Sequence, residues 1–197
     1  PLVTSGLPWI AGSATFSARH QIIRPAVPAA PTTVTVSVLP VDSDGVTMAA
    51  AASVGTSVQR FGRLRLSNAF GSSAPLLMPV EAQYWSGLSW VKNSDDSCTA
   101  LAADNLLLAP AGWPAPAPFT LVGGGGGISL SPTGPGSVSI CADLDTDPVG
   151  GVICLATTSA AMPWLQSRWP PGSAYDNDPS ARATFGIYAP ERRKNIH

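Results

Sequence analysis

Short runs of alternating apolar and polar residues, each cut off by a cluster of turn formers, restrict this chain to β architecture. Val34, Val36 and Val38 alternate with Thr33, Thr35 and Ser37. Gly62, Leu64 and Leu66 alternate with Phe61, Arg63 and Arg65. The longest such run sets Leu76, Met78, Val80, Ala82 and Tyr84 against Leu77, Pro79, Glu81, Gln83 and Trp85. Val138, Ile140 and Ala142 alternate with Ser137, Ser139 and Cys141, and Ala183, Phe185 and Ile187 with Thr184, Gly186 and Tyr188. A period of two places unlike residues on opposite faces of a strand, the pattern of a sheet packed on one side only. Asp42-Ser43-Asp44-Gly45, Asn68-Ala69-Phe70-Gly71, Ser86-Gly87, Asn93-Ser94-Asp95-Asp96 and Pro132-Thr133-Gly134-Pro135-Gly136 are the turns between the runs. Only 46–54 and 95–108 can hold a short helix, and Gly and β-branched neighbours limit the helix-favouring Ala49–Ala52. With 19 glycines and 20 prolines, many short strands are expected, with little helix and long Gly/Pro-rich loops. The expected fold is an all-β antiparallel sandwich, immunoglobulin-like or jelly-roll-like.

The 197 residues accommodate one β module or two tightly packed β subdomains. A boundary near 109–127 is the place for such a division. There, 109–118 alternates proline and small residues around Trp113 in an extended or polyproline pattern, and 123–127 is five consecutive glycines. The glycines read as a flexible connector, or as bare backbone packed tightly against a neighbouring chain. They do not form a phosphate loop, because neither a Lys-Ser/Thr pair nor a helix follows.

Charged residues make up only 12% of the chain, about half the usual share. A surface of Ser, Thr, Ala, Gly and Pro repels its neighbours weakly. It suits a module of an assembly or a cell surface, and equally an ordinary secreted domain with Ala, Gly and Pro enriched by codon bias. A net charge of −1 lacks the basic patch that nucleic acid requires. Arg192-Arg193-Lys194 reads as a solvated tail. No apolar run reaches the ~20 residues of a membrane span. Pro1 replaces an initiator Met, and the chain reads as part of a longer secreted protein.

Few residues carry chemistry. The histidines, His20 and His197, are too few for a histidine metal site, and no Gly-x-Ser-x-Gly elbow singles out a nucleophilic serine. No catalysis and no resident cofactor are therefore expected. Asp143, Asp145 and Asp147, spaced to wrap a hard cation such as Ca²⁺, are the metal candidates. Against them, Pro148 stands where an EF-hand-type loop needs glycine and Cys154 where it needs Glu. Turn residues bonding their own backbone outweigh the cation reading there, and also at Asp176, Asn177 and Asp178. Arg182 is expected to pair with Asp176 or Asp178 and fix the turn that opens the last strand. Six tryptophans include two turn-flanking pairs, Trp85 with Trp90 and Trp164 with Trp169, as candidate ligand or interface aromatics. Packing is the default role for such rings, and stacking on sugars the alternative. Of three cysteines, Cys141 and Cys154 can face one another if 137–142 and 151–157 pair as a hairpin. Three free thiols, or a bridge using Cys98, are the other arrangements.

Four segments resemble a known family. They are Phe61-Gly62-Arg63-Leu64-Arg65-Leu66-Ser67-Asn68-Ala69-Phe70-Gly71, then Pro79-Val80-Glu81-Ala82-Gln83-Tyr84-Trp85 continued by Trp90 and Asn93-Ser94-Asp95-Asp96-Ser97-Cys98-Thr99, then Pro163-Trp164-Leu165-Gln166, and lastly Asp178 through Tyr188. In this order they resemble the C-terminal domain of MshQ-like proteins, associated with biogenesis of MSHA-type pili in Gram-negative bacteria. Arg168-Trp169-Pro170-Pro171-Gly172-Ser173 departs from that family, which is often richer in Asp and Gly there. The resemblance implies an extracellular or cell-surface module of a Gram-negative bacterium, structural or adhesive, whose partners are other subunits of the appendage or further copies of itself. A filament subunit joined through strand edges or a donated strand is the alternative. A lectin-like domain binding surface glycans through the tryptophans is the second.

Overall fold

The computed structural model describes residues 22–41, 45, 47, 49–72, 74–145, 154–170 and 173–186. Trp9, His20, Asp147, Arg192, Arg193, Lys194 and His197 lie outside the described residues. In chain order the strands are β1 (Thr32–Val38), β2 (Ala52–Gln59), β3 (Gly62–Leu66), β4 (Ala69–Gly71), β5 (Leu76–Trp85) and β6 (Trp90–Lys92). They continue as β7 (Ala100–Leu101), β8 (Leu106–Ala109), β9 (Phe119–Thr120), β10 (Gly125–Leu130), β11 (Gly136–Ala142) and β12 (Ser180–Phe185). Among the described residues, helix is confined to single 3-10 turns at Ala103–Asn105 and Pro163–Leu165. No helix among the described residues is long and apolar enough to cross a membrane.

Two four-stranded sheets supply the core. One runs β10-β5-β3, with β6 also on β5; the other runs β4-β12-β11-β8. Leu64 and Leu66 from β3, Met78, Val80 and Ala82 from β5 and Ile128 and Leu130 from β10 are all buried. They meet Leu106, Val138, Ile140, Ala142, Ala183 and Phe185 of the second sheet in a single cluster, making the fold sandwich-like. Side chains buried as completely as Leu64 or Phe185 contribute about 1.5–3 kcal/mol each. The period-two pattern therefore reports the inward faces of β3, β5, β11 and β12 faithfully. One pairing is not antiparallel: β4 runs parallel to β12, with Ala69 opposite Ala183.

The glycine run is not a connector. Gly123 and Gly124, at φ 55 and 71, close a tight hairpin turn between Val122 and Gly125, and the remaining three glycines begin β10 opposite Glu81, Val80 and Pro79. Strands from before and after 109–127 interleave in both sheets, so no subdomain border falls there. Trp113, in the irregular stretch before the hairpin, stacks on Phe185 with centroids 5.3 Å apart.

β1 and β2 stand apart. They pair with each other, Thr32 opposite Gln59 through Val38 opposite Ala52 with a bulge after Val36, and form a sheet of their own. No residue of either strand is buried. Their alternation is real, yet within the described residues it faces no core.

Candidate functional site: an arginine–aromatic seam and a carboxylate clamp

The outward face of the first sheet gathers aromatic rings around two arginines. Arg63 leaves β3 away from the core because its neighbours Leu64 and Leu66 take the inward positions. Its guanidinium lies 4.0 Å from the Trp90 ring centroid and 4.8 Å from that of Trp169. Arg63 Nε donates to Gln83 Oε1 at 2.8 Å, and Gln83 in turn donates to Glu81, its neighbour on the same face of β5. Trp85 meets Trp90 edge-on at 5.7 Å, and Phe61 lies 6.1 Å from Trp90. Arg24, from the stretch before β1, sits 3.9 Å over Phe61. It donates to the carbonyls of Tyr175 (2.8 Å), Gly62 (3.0 Å) and Gln166 (2.7 Å). Burial lowers Arg24 to about 10. Burial, reinforced by nearby Arg65, likewise lowers Arg63 to about 10. Both remain cations at neutral pH.

Three of the four candidate tryptophans are thus drawn together by Arg63, and two of them spend a ring face on it. Trp164 stands apart, 54% exposed at the rim of an apolar groove of about 420 Å³ shared with Ile22, Ile23, Val34 and Phe61. Nothing in the periodicity pointed to Arg24. The one available signal was a lone charge in Ile22-Ile23-Arg24-Pro25, next to a prolonged uncharged stretch.

Replacing Arg63 by Ala removes contacts worth about 0.5–1 kcal/mol at each partly exposed ring, and is expected to destabilise the module by about 1–2 kcal/mol in urea titration. Arg63→Lys keeps the charge without the planar fork and is expected to recover less than half of that. Unchanged stability and indole emission in both variants would show that the stack contributes nothing.

The second cluster lies where β11 ends. Cys141 is bonded to Cys154, with Cα atoms 5.8 Å apart, and Cys98 is free and exposed. The bridge does not come from a hairpin. Both edges of β11 are occupied, by β12 and β8, so 154–156 passes as irregular chain. Two buried carboxylates hold that chain instead. Asp143 Oδ2 accepts the Ala156 N–H at 3.0 Å. Asp178 Oδ2 accepts the Cys154 N–H at 3.2 Å, while its Oδ1 accepts from Leu144 N and Gln166 Nε2, both at 3.1 Å.

This corrects the pairing expected of Arg182. Asp178 is buried with backbone and Gln166 as donors, whereas Arg182 falls on the outward face of β12 between buried Ala183 and half-buried Ala181. The Arg182 N–H donates to Asn68 Oδ1 at 2.8 Å. Two of the three calcium candidates fall within the described residues. Asp143 is buried, Asp145 is half-buried, Asp147 lies outside the described residues, and no group of three metal-ligating side chains occurs among the described residues.

Burial raises the Asp178 carboxyl. The three donated hydrogen bonds oppose that shift without cancelling it, and the nearby Asp143 adds to it. The folded state therefore holds this proton more tightly than the unfolded chain. The resulting stability is fully present below the ordinary value of 3.8 and is lost as pH rises through the raised folded value. Asp178→Asn is expected to cost about 1–3 kcal/mol, since its amide faces donors. That cost is expected to be larger near pH 4 than at pH 7, measured as denaturant midpoints at both; the reverse order would refute the assignment. Asp96 has the opposite sign. Burial pushes it up, but bonds from Thr99 Oγ1 (2.7 Å), Thr99 N and Cys98 N prevail and hold it below 3.8, so its contribution is lost as pH falls.

Fold and site together define a disulfide-bearing, all-β sandwich-like module whose buried charges fasten its own segments. Residues 60–197 match the fourth domain of DUF6701, and the chain belongs to that family. No curated protein and no solved structure matches it.

Proposed function

We propose that this chain is a non-catalytic structural module of an extracellular protein associated with a surface appendage, of the MSHA-type pilus class that its four motif segments resemble. The observation that carries the reading is the deployment of its polar groups. Arg24, Arg63, Asp96, Asp143 and Asp178 are engaged in holding the module's own loops and strands, and the β1–β2 ribbon, which has no buried residue, has no charge in either strand. A surface of that kind meets other polypeptide. The Cys141–Cys154 bridge accords with an oxidising compartment.

The filament reading draws on the same ribbon, whose outer edges present unpaired main-chain groups. The glycan reading is weaker. A sugar ring needs a free indole face, and Trp90 and Trp169 each give one to Arg63.

Immunogold electron microscopy of intact cells and shed material, with an antibody to this module, tests the proposal. Labelling at the cell surface or at appendage tips is expected. Continuous labelling along regular fibres would make the chain a polymer subunit, and label confined to the cell interior would sink both readings.

A further inference from the structure

We infer that the β1–β2 ribbon belongs to the sheet of the domain that precedes the matched one in this family, and that strands of that preceding domain cover its valine face and pair with one of its two open edges. The inference is independent of where the protein resides.

Four observations converge. The ribbon has no buried residue, and Val36, in the middle of the face formed by Val34, Val36 and Val38, is 49% exposed. A lone two-stranded hairpin is marginal in water, and three or more strands, or a packed face, are needed for stability. The family match begins at Arg60, directly after β2 ends at Gln59, and it is to a fourth domain. The ribbon thus lies on the far side of a domain border at which its packing on the sandwich also ceases. Neither strand carries the charges or prolines that normally guard a solvent-facing edge, and one bulge is its sole defence.

The register says which face is to be covered. Val34, Val36 and Val38 lie opposite Ser57, Gly55 and Ala52, small partners that leave the valines as a raised apolar stripe. At its root the stripe continues through Val34 into the groove formed with Ile22, Ile23 and Trp164. The groove also holds Arg24 and Arg60, but Arg24 is spent on backbone carbonyls and Arg60 on Asn93 and Asp95. An uncharged stripe and a groove with its arginines so engaged select a neutral, strand-forming surface. A preceding β domain of the same polypeptide, tethered beside the ribbon, supplies one at high effective concentration.

Amide hydrogen exchange on two polypeptides tests this: residues 1–197, and the longer polypeptide carrying the family's preceding domain in front of them. Segments 32–38 and 52–59 are expected to exchange rapidly in the first and roughly 100-fold more slowly in the second. Val36→Lys in the longer polypeptide is expected to restore rapid exchange in the ribbon while β11 stays protected. Equal exchange in the two polypeptides would overturn the inference. So would ribbon protection in residues 1–197 alone that rises with protein concentration alongside a sedimenting dimer, since a second copy would then be the occupant.

Discussion

Gly124→Ala is expected to cost at least about 4 kcal/mol, enough to leave the module largely unfolded or insoluble. Two penalties coincide at this position. At φ 71 an L side chain is strained by about 1–2 kcal/mol. An added Cβ would also lie 2.2 Å from the Asn93 carbonyl oxygen and 2.7 Å from its carbon. Backbone cannot yield there cheaply. Asn93 O accepts from Asp96 N at 3.0 Å and Asn93 N donates to Ala82 O at 2.9 Å. Gly124 itself bonds Asp96 O through its N–H and Ala82 N through its carbonyl. Relieving the clash would pull the hairpin turn off both β5 and the 93–96 turn. Gly112→Ala is the control: its φ of 101 is also positive, but nothing lies within 4 Å. It is expected to lose only about 1–2 kcal/mol. Thermal melts and soluble yield of the two variants check the pair, and equal losses would refute the wedge.

Removing the disulfide is expected to lower stability by about 3 kcal/mol, or Tm by about 6–12 °C for a chain of this size. The sequence separation of 13 closes a short loop, and the loop-closure account places the loss in the unfolded state. The native segment keeps its anchors, because Asp143 and Asp178 still hold the N–H groups of Ala156 and Cys154. Cys141→Ser with Cys154→Ala, which avoids leaving a hydroxyl at a position only 2% exposed, should therefore melt earlier with near-native near-UV dichroism. A variant that loses its tertiary signal at 25 °C would show that the bridge, not the carboxylates, positions 154–156.

The inward faces of β3, β5, β11 and β12 were legible because a period of two reports two unlike environments directly. β1 was equally legible as a strand but not in its burial. Alternation says that two faces differ, not that either has a partner. The glycine run misled for a related reason. Composition suggests flexibility, while the Asn93 backbone that makes Gly124 obligatory lies some thirty positions away and leaves no mark within the run. Cys141 and Cys154 were foreseen as partners through a hairpin that β8 and β12 preclude. Arg182 was assigned to Asp176 or Asp178 because a guanidinium fork suits a carboxylate, yet strand alternation turns it outward and leaves the buried Asp178 to backbone and Gln166 donors. Arg24 escaped notice because its partners are carbonyls, which every residue has and no motif records.

That guanidinium has a mechanical consequence. The chain reaches the ribbon from Arg24 and returns through Arg60 to Gly62, and Arg24 Nη2 grips the Gly62 carbonyl across the gap at 3.0 Å. A lever attached by one strand swivels freely about its bonds. Here both legs are tied together at the base, and the tie also reaches Gln166 and Tyr175. Torque applied to the ribbon is shared among three stretches of the sandwich, so the joint resists twisting more than a simple interdomain linker would.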